Sequence, residues 1–190
     1  MATPHSYPAR LEIDYPDKLD RFTTFFRLIW VIPILTILAL VTATQIWIAT
    51  ALLIVFRMRY PRWWFDFVLE LTRFGTRVGA YLLLLTDKYP STEDTQSVHL
   101  EVDYPDVEQD LNRWLPLVKW LLAIPHYIVL AVLAVGVVVV WIIAWFAILF
   151  TGRYPRGLFD YVVGVARWGL RVDAYASLLV TDKYPPFGLK

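Results

Sequence analysis

Two long stretches of the chain carry no charge. Leu28 to Phe56 and Trp120 to Gly152 contain no Asp, Glu, Lys or Arg. An uncharged apolar run beyond about 18 residues is the pattern of a membrane-spanning segment, and soluble core helices are rarely so long and so clean. Each run exceeds what one upright helix needs at a rise of about 1.5 Å per residue. The pattern therefore predicts a short transmembrane hairpin over residues 21–57 and another over 112–151. The arms would be 21–41 and 45–56, then 112–134 and 137–150, turning at Thr42-Ala43-Thr44 and at Gly136. One long tilted helix per run is the rival arrangement. Pro33 and Pro125 fall inside the first arms, where proline kinks a membrane helix; the kink would let a short hairpin close, or would act as a hinge.

Outside the runs the periodicity changes. Val98, Leu100 and Val102 alternate with His99, Glu101 and Asp103, and Leu11 and Ile13 alternate with Glu12 and Asp14. That is the period of half-buried strands. They could pair with each other or with the leucine stretch after Ala80. Residues 62–80 and 156–175 read as amphipathic helices. Asp66, Glu70, Arg73 and Arg77 fall on one stripe of the first, and Asp160, Arg167 and Arg171 repeat it in the second. Such a helix lies in the membrane interface or packs on the hairpins. Its stripe is either a salt-bridged face or a paired arginine site for lipid phosphate or a partner's carboxylates.

The chain is a tandem repeat. Leu11-Glu12-Ile13-Asp14-Tyr15-Pro16-Asp17 returns as Leu100-Glu101-Val102-Asp103-Tyr104-Pro105-Asp106. Arg59-Tyr60-Pro61-Arg62 returns as Arg153-Tyr154-Pro155-Arg156, and Thr86-Asp87-Lys88-Tyr89-Pro90 as Thr181-Asp182-Lys183-Tyr184-Pro185. Residues 1–90 form one repeat, 98–190 the other, and the polar 91–97 reads as their linker. Matching motifs should meet matching environments, so an even number of crossings per repeat is expected.

Composition sharpens this picture. The chain is 58% hydrophobic and 18% charged, whereas soluble domains are nearer a quarter charged. It is too apolar for disorder. Its 18 basic and 17 acidic residues leave a net +1, unsuited to a general nucleic-acid binder. Zero cysteines exclude disulfides, thiolate metal sites and a cysteine nucleophile. Residues 1–15 lack the charged and apolar regions of a signal peptide, so insertion is expected at the first internal span. All Lys and Arg fall outside the hairpin tips, which makes the charged side cytoplasmic by the positive-inside bias. Tyrosine precedes proline at Tyr7, Tyr15, Tyr60, Tyr89, Tyr104, Tyr154 and Tyr184. Proline stops a helix and extends the residue before it, while tyrosine suits an interface with its hydroxyl in water. Tyr15, Tyr60, Tyr89, Tyr104, Tyr154 and Tyr184 are accordingly interface anchors.

No catalytic constellation emerges. His5, His99 and His126 have no helical ligand spacing, so no metal site is expected. There is no phosphate loop and no nucleophile elbow. Glu12, Asp14, Asp17, Asp20, Glu101, Asp103 and Asp106 read as a solvated face beside Arg21 and Arg113. A lone histidine in an apolar run, His126, is either functional or bonded to a carbonyl near the interface.

Ile124-Pro125-His126, the run Trp145 to Asp160, Arg167-Trp168-Gly169-Leu170-Arg171 and Thr181-Asp182-Lys183-Tyr184-Pro185-Pro186-Phe187 resemble a family of bacterial membrane proteins known as domain of unknown function four-three-eight-nine. The resemblance spans essentially the whole chain. The first repeat departs from it, with Arg57-Met58 for Thr151-Gly152 and Trp63-Trp64 for Gly157-Leu158. It implies a bacterial inner-membrane location and no activity.

The expected fold is an all-α integral membrane domain: two repeats, each a hairpin and an interfacial amphipathic helix, with a minor β element on the cytoplasmic face. The expected function is a non-catalytic auxiliary or scaffold subunit, with a protein partner or a second copy. The alternative is an anionic-lipid binder or an oligomeric solute conduit. Candidate lipid or partner contacts are Arg59, Arg62, Arg73, Arg77, Arg153, Arg156, Arg167 and Arg171. No cofactor is expected.

Overall fold

The structure is a computed structural model that describes residues 7–42, 46–91 and 97–189. Strand β1 (Ala9–Ile13) is followed by helices α1 (Arg21–Phe25), α2 (Arg27–Thr42), α3 (Ile46–Arg57) and α4 (Arg62–Leu82). Then come β2 (Val98–Val102), α5 (Val107–Asp110), a 3-10 turn (Leu115–Leu117), α6 (Lys119–Leu122), α7 (Ile124–Thr151) and α8 (Arg156–Ala176).

The two strands pair with each other, antiparallel. Leu11 faces Leu100, flanked by Ala9 opposite Val102 and Ile13 opposite Val98. Leu11 and Leu100 are equivalent positions of the repeat, so a local twofold axis passes between them. Alternate residues of each strand are buried, as the period required. Each strand is covered by the amphipathic helix of the other repeat: β1 packs against α8, and β2 against α4. On their other sides α8 packs on α7 and α4 on α2. The molecule is thus three layers: the sheet, then α4 and α8, then the apolar helices.

Both amphipathic helices start after proline, with Pro61 and Pro155 as N-caps, because proline pre-sets its φ and needs no N–H there. They extend slightly beyond the expected ends, to Leu82 and Ala176. Each is followed by a buried leucine in the left-handed region, Leu84 (φ 65°) and Leu179 (φ 57°). The stretch after Ala80 is therefore helix end and turn, not strand.

The second hairpin is corrected. α7 runs unbroken through Gly136, with no turn. Gly136 instead admits Tyr161, whose hydroxyl donates to Leu133 O at 3.0 Å and would lie 2.4 Å from an added Cβ. The neighbouring Ala134, Val135, Val137 and Val138 offer nothing to break a helix, and one glycine costs only about 1 kcal/mol. In the first repeat α2 ends at Thr42 and α3 begins at Ile46; Ala43 and Thr44 of the expected turn lie outside the described residues, as do residues 92–96 of the linker. Both expected first arms are segmented, at Phe26 and around Val118 and Ala123. Pro125 is not interior either: it sits in the first turn of α7, where its missing N–H costs nothing. Pro33 is inside α2 as expected.

The body is mostly helical. Among the described residues α7 alone is long and apolar enough to cross a membrane, and only 11% of its most apolar stretch is buried. Its inner face carries Val140, Ala144 and Ile148, all buried. Trp141 Nε1 donates to Leu82 O at 2.9 Å and Trp145 Nε1 to Thr24 O at 3.2 Å, tying α7 to the first repeat.

Candidate functional site

The arginine stripes meet the chain's own backbone. Arg73 Nε donates to Leu100 O at 3.0 Å, and Arg167 Nε to Leu11 O at 2.8 Å. The two bonds are related by the local twofold, and each carries a guanidinium from one repeat to the central strand residue of the other. Arg73 also pairs with Glu70. Arg77 Nη1 reaches Ser91 O at 2.6 Å, and Arg171 Nη2 donates to Gly188 O. All four side chains are half-buried. Charge-assisted bonds of this kind hold a backbone firmly.

The remaining expected contacts lie further out. Arg62 pairs with Asp66 at 3.3 Å and its guanidinium lies over the Tyr104 ring at 4.7 Å. Arg156 pairs with Asp160 at 3.6 Å and lies over Tyr15 at 4.4 Å. Arg59 and Arg153 are exposed and form no ion pair among the described residues.

The Tyr-Pro motifs are interlocking joints. Tyr15 Oη donates to Tyr154 O, and Tyr104 Oη to Tyr60 O at 2.5 Å, again exchanged between repeats. The expectation of a hydroxyl in water is corrected for Tyr60 and Tyr154, which are buried. Tyr60 Oη donates to Leu178 O at 3.1 Å, and burial pushes both hydroxyls well above the usual tyrosine range. Tyr89 and Tyr184 stay exposed, edge-on to Tyr81 and Tyr175.

Sequence reasoning missed the two buried cations. Arg27 and Lys119 are fully buried just before the charge-free runs. Arg27 donates to Tyr81 O at 3.2 Å and Thr86 O at 2.6 Å, pairs with Asp87, and stacks on Tyr81 at 4.2 Å. Lys119 Nζ donates to Thr181 O at 2.7 Å and pairs with Asp182 Oδ1 at 2.7 Å. Burial pulls the Lys119 ammonium below its ordinary value and Asp182 opposes that. The missed signal is positional: both cations precede their runs by one residue, and both Asp partners belong to the repeated Thr-Asp-Lys-Tyr-Pro motif.

His126 is buried and accepts from Trp168 Nε1 through Nδ1 at 3.0 Å, not from or to a carbonyl. Its ring stacks on Phe187 at 4.0 Å. The strand carboxylates are exposed; Glu101 and Asp103 pair with Arg10, and Asp14 meets His99 at 3.2 Å. Among the described residues no three His, Asp or Glu side chains are grouped as a metal site would need.

An apolar groove of about 470 Å³ is lined by Ala49, Leu52, Leu53, Phe56, Arg57, Trp63 and Trp64. It exists where the first repeat departs from the second.

The repeat geometry agrees with comparison against protein families. A model described as Domain of unknown function (DUF4389) matches twice, over residues 21–92 and 114–188. The chain belongs to the DUF4389 family. Each match contains one set of apolar helices and one amphipathic helix, and both strands lie outside the matched stretches. No curated protein and no solved structure matches the chain.

Proposed function

We propose that this DUF4389 protein is a non-catalytic membrane protein of the bacterial inner membrane, an auxiliary or scaffold subunit of a larger membrane assembly. One observation carries the reading. The apolar helices expose large hydrophobic side chains, among them Ile29 62%, Ile128 62%, Val132 68%, Val135 66% and Phe150 77% exposed. Monomeric soluble proteins rarely leave such a surface in water.

The layer order supports a particular seating. The charged face of the sheet lies on the far side of α8 and α4 from α7. An upright α7 would bring Arg10, Glu12, Glu101 and Asp103 to bilayer depth, at about 2.5–3.5 kcal/mol per charge. An α7 lying in the plane of one leaflet avoids that cost. Both repeats then meet the same environment, with the local twofold along the membrane normal and the sheet facing the cytoplasm. This replaces the multi-pass arrangement expected from the runs alone. Purification from native membranes in mild detergent, with sizing and mass spectrometry, tests the subunit role. Co-migration with a defined complex supports it, and a lone monomer contradicts it.

A second reading, anionic-lipid binding, is favoured by the groove at Trp63 and Trp64. Its apolar walls suit an acyl chain, and Arg57 at its rim suits a phosphate. Replacing Arg57 and Arg59 with Gln should lower co-purified phosphatidylglycerol. Gln at Arg73, Arg77, Arg167 and Arg171, whose guanidinium groups bond the chain's own carbonyls, should not.

A further inference from the structure

The two repeats place equivalent tryptophans differently. Trp141 of α7 is part-buried, its indole N–H bonded to Leu82 O at 2.9 Å. The equivalent residue in the first repeat is Trp47 of α3, which is 46% exposed. Beside Trp47 a cleft of about 490 Å³ opens between α2, α3, α4 and α8. Its walls include Leu38, Trp47, Val68 and Leu71, with Asp173 and Ser177 from α8.

Asp173 is the charged side chain of this cleft. It stands where the first repeat has Gly79, so it is no part of the repeated framework. No Lys or Arg pairs with it among the described residues. The hydroxyls of Thr72 and Thr76, which also face the cleft, are spent on carbonyls of their own helix, Val68 O at 2.8 Å and Thr72 O at 2.8 Å. Burial raises the Asp173 carboxyl above the usual aspartate value, against the Ser177 hydroxyl that bonds it. A carboxyl so placed gains most from a cation that restores its ionised form. The neighbouring indole adds a face on which an ammonium group can rest. The volume is in the range of small-molecule sites, and the walls can bury an apolar body.

We propose that this cleft binds an organic monocation, an amine carried on an apolar group, with its ammonium on Asp173 and its body against Trp47 and Leu38. The proposal stands whether or not the protein is a scaffold subunit.

The test uses the full chain in lipid nanodiscs and two matched probes, 4-phenylbutylamine and 4-phenylbutan-1-ol, titrated calorimetrically. The amine should bind at least about tenfold tighter than the alcohol, a difference that one charge-assisted contact supplies. Asp173→Asn should remove that preference, and so should Asp173→Gly, which installs the first repeat's residue. Equal affinity for amine and alcohol in the unaltered protein overturns the proposal, and needs no variant to fold. So does an unchanged preference in a folded Asp173→Asn protein, or the absence of measurable amine binding.

Discussion

The two repeats carry unlike residues at the middle of their apolar runs, where the second is one continuous helix, α7. The frames around them are alike: left-handed leucines, proline caps, buried cations and exchanged arginine clamps recur in both halves. The difference begins at the middle of the run. Polar Thr42, Thr44 and Gln45 stand in the first, and Ala134, Gly136 and Val138 in the second. A duplicated frame held by Tyr, Arg and Asp tolerates divergence in what spans it. Divergent residues line the Trp63-Trp64 groove and the Asp173 cleft.

The frame can be broken at its buried cations, and there the largest effects are expected. Arg27→Met leaves Asp87 without its cation, and Lys119→Met does the same to Asp182. Each should cost about 3–5 kcal/mol, read as a fall in thermal midpoint in detergent. Similar losses in the two variants would mean the halves carry equal weight; a loss in one alone would end the equivalence.

Continuity of α7 can be tested at Gly136. Gly136→Ala drives a methyl into the Tyr161 hydroxyl and should cost about 1–3 kcal/mol. Adding Tyr161→Phe, which copies Phe67 of the first repeat, should recover part of it. A turn at Gly136 would make both changes silent.

The two helix ends offer a finer comparison. Met58 (φ 47°) and Gly152 (φ 73°) hold equivalent left-handed positions. Met58→Gly should stabilise by about 1 kcal/mol and Gly152→Ala should destabilise by a similar amount, because only glycine takes this conformation without strain.

The smallest effect separates the first-turn caps. Asp20 accepts from Thr23 N at 2.9 Å, and that backbone bond holds its carboxyl below the ordinary 3.8. Its contribution is present above the unfolded value and lost as pH falls through the lowered folded one. The counterpart Asn112 bonds Trp114 N at 3.0 Å and does not titrate. Asp20→Asn should flatten acid unfolding in that window and leave neutral-pH stability nearly unchanged.

Much of this frame was legible because it repeats. The strands, both amphipathic helices and their proline starts follow from period and motif. Gly136 makes room for Tyr161, and in sequence such a glycine looks like one that makes a turn. The arginine stripe was visible as a stripe, but its targets are backbone carbonyls distant in sequence, which no spacing reveals. Arg27 and Lys119 fall at the edges of the charge-free runs, inside the expected first arms, and their Asp partners are about 60 residues away, which no local spacing reveals. The Asp173 cleft depends on how two equivalent tryptophans are placed, so only the fold exposes it.

The seating of the apolar layer is the central claim, and the absence of cysteine makes it directly testable. Arg113 and Arg153 are exposed and lie before and after α7. Arg113→Cys and Arg153→Cys, made singly, would be labelled with a membrane-impermeant maleimide in right-side-out and inside-out vesicles. Labelling of both from the cytoplasmic face alone is the predicted result. Labelling of the two positions from opposite faces would mean that α7 crosses the bilayer, and would contradict the account.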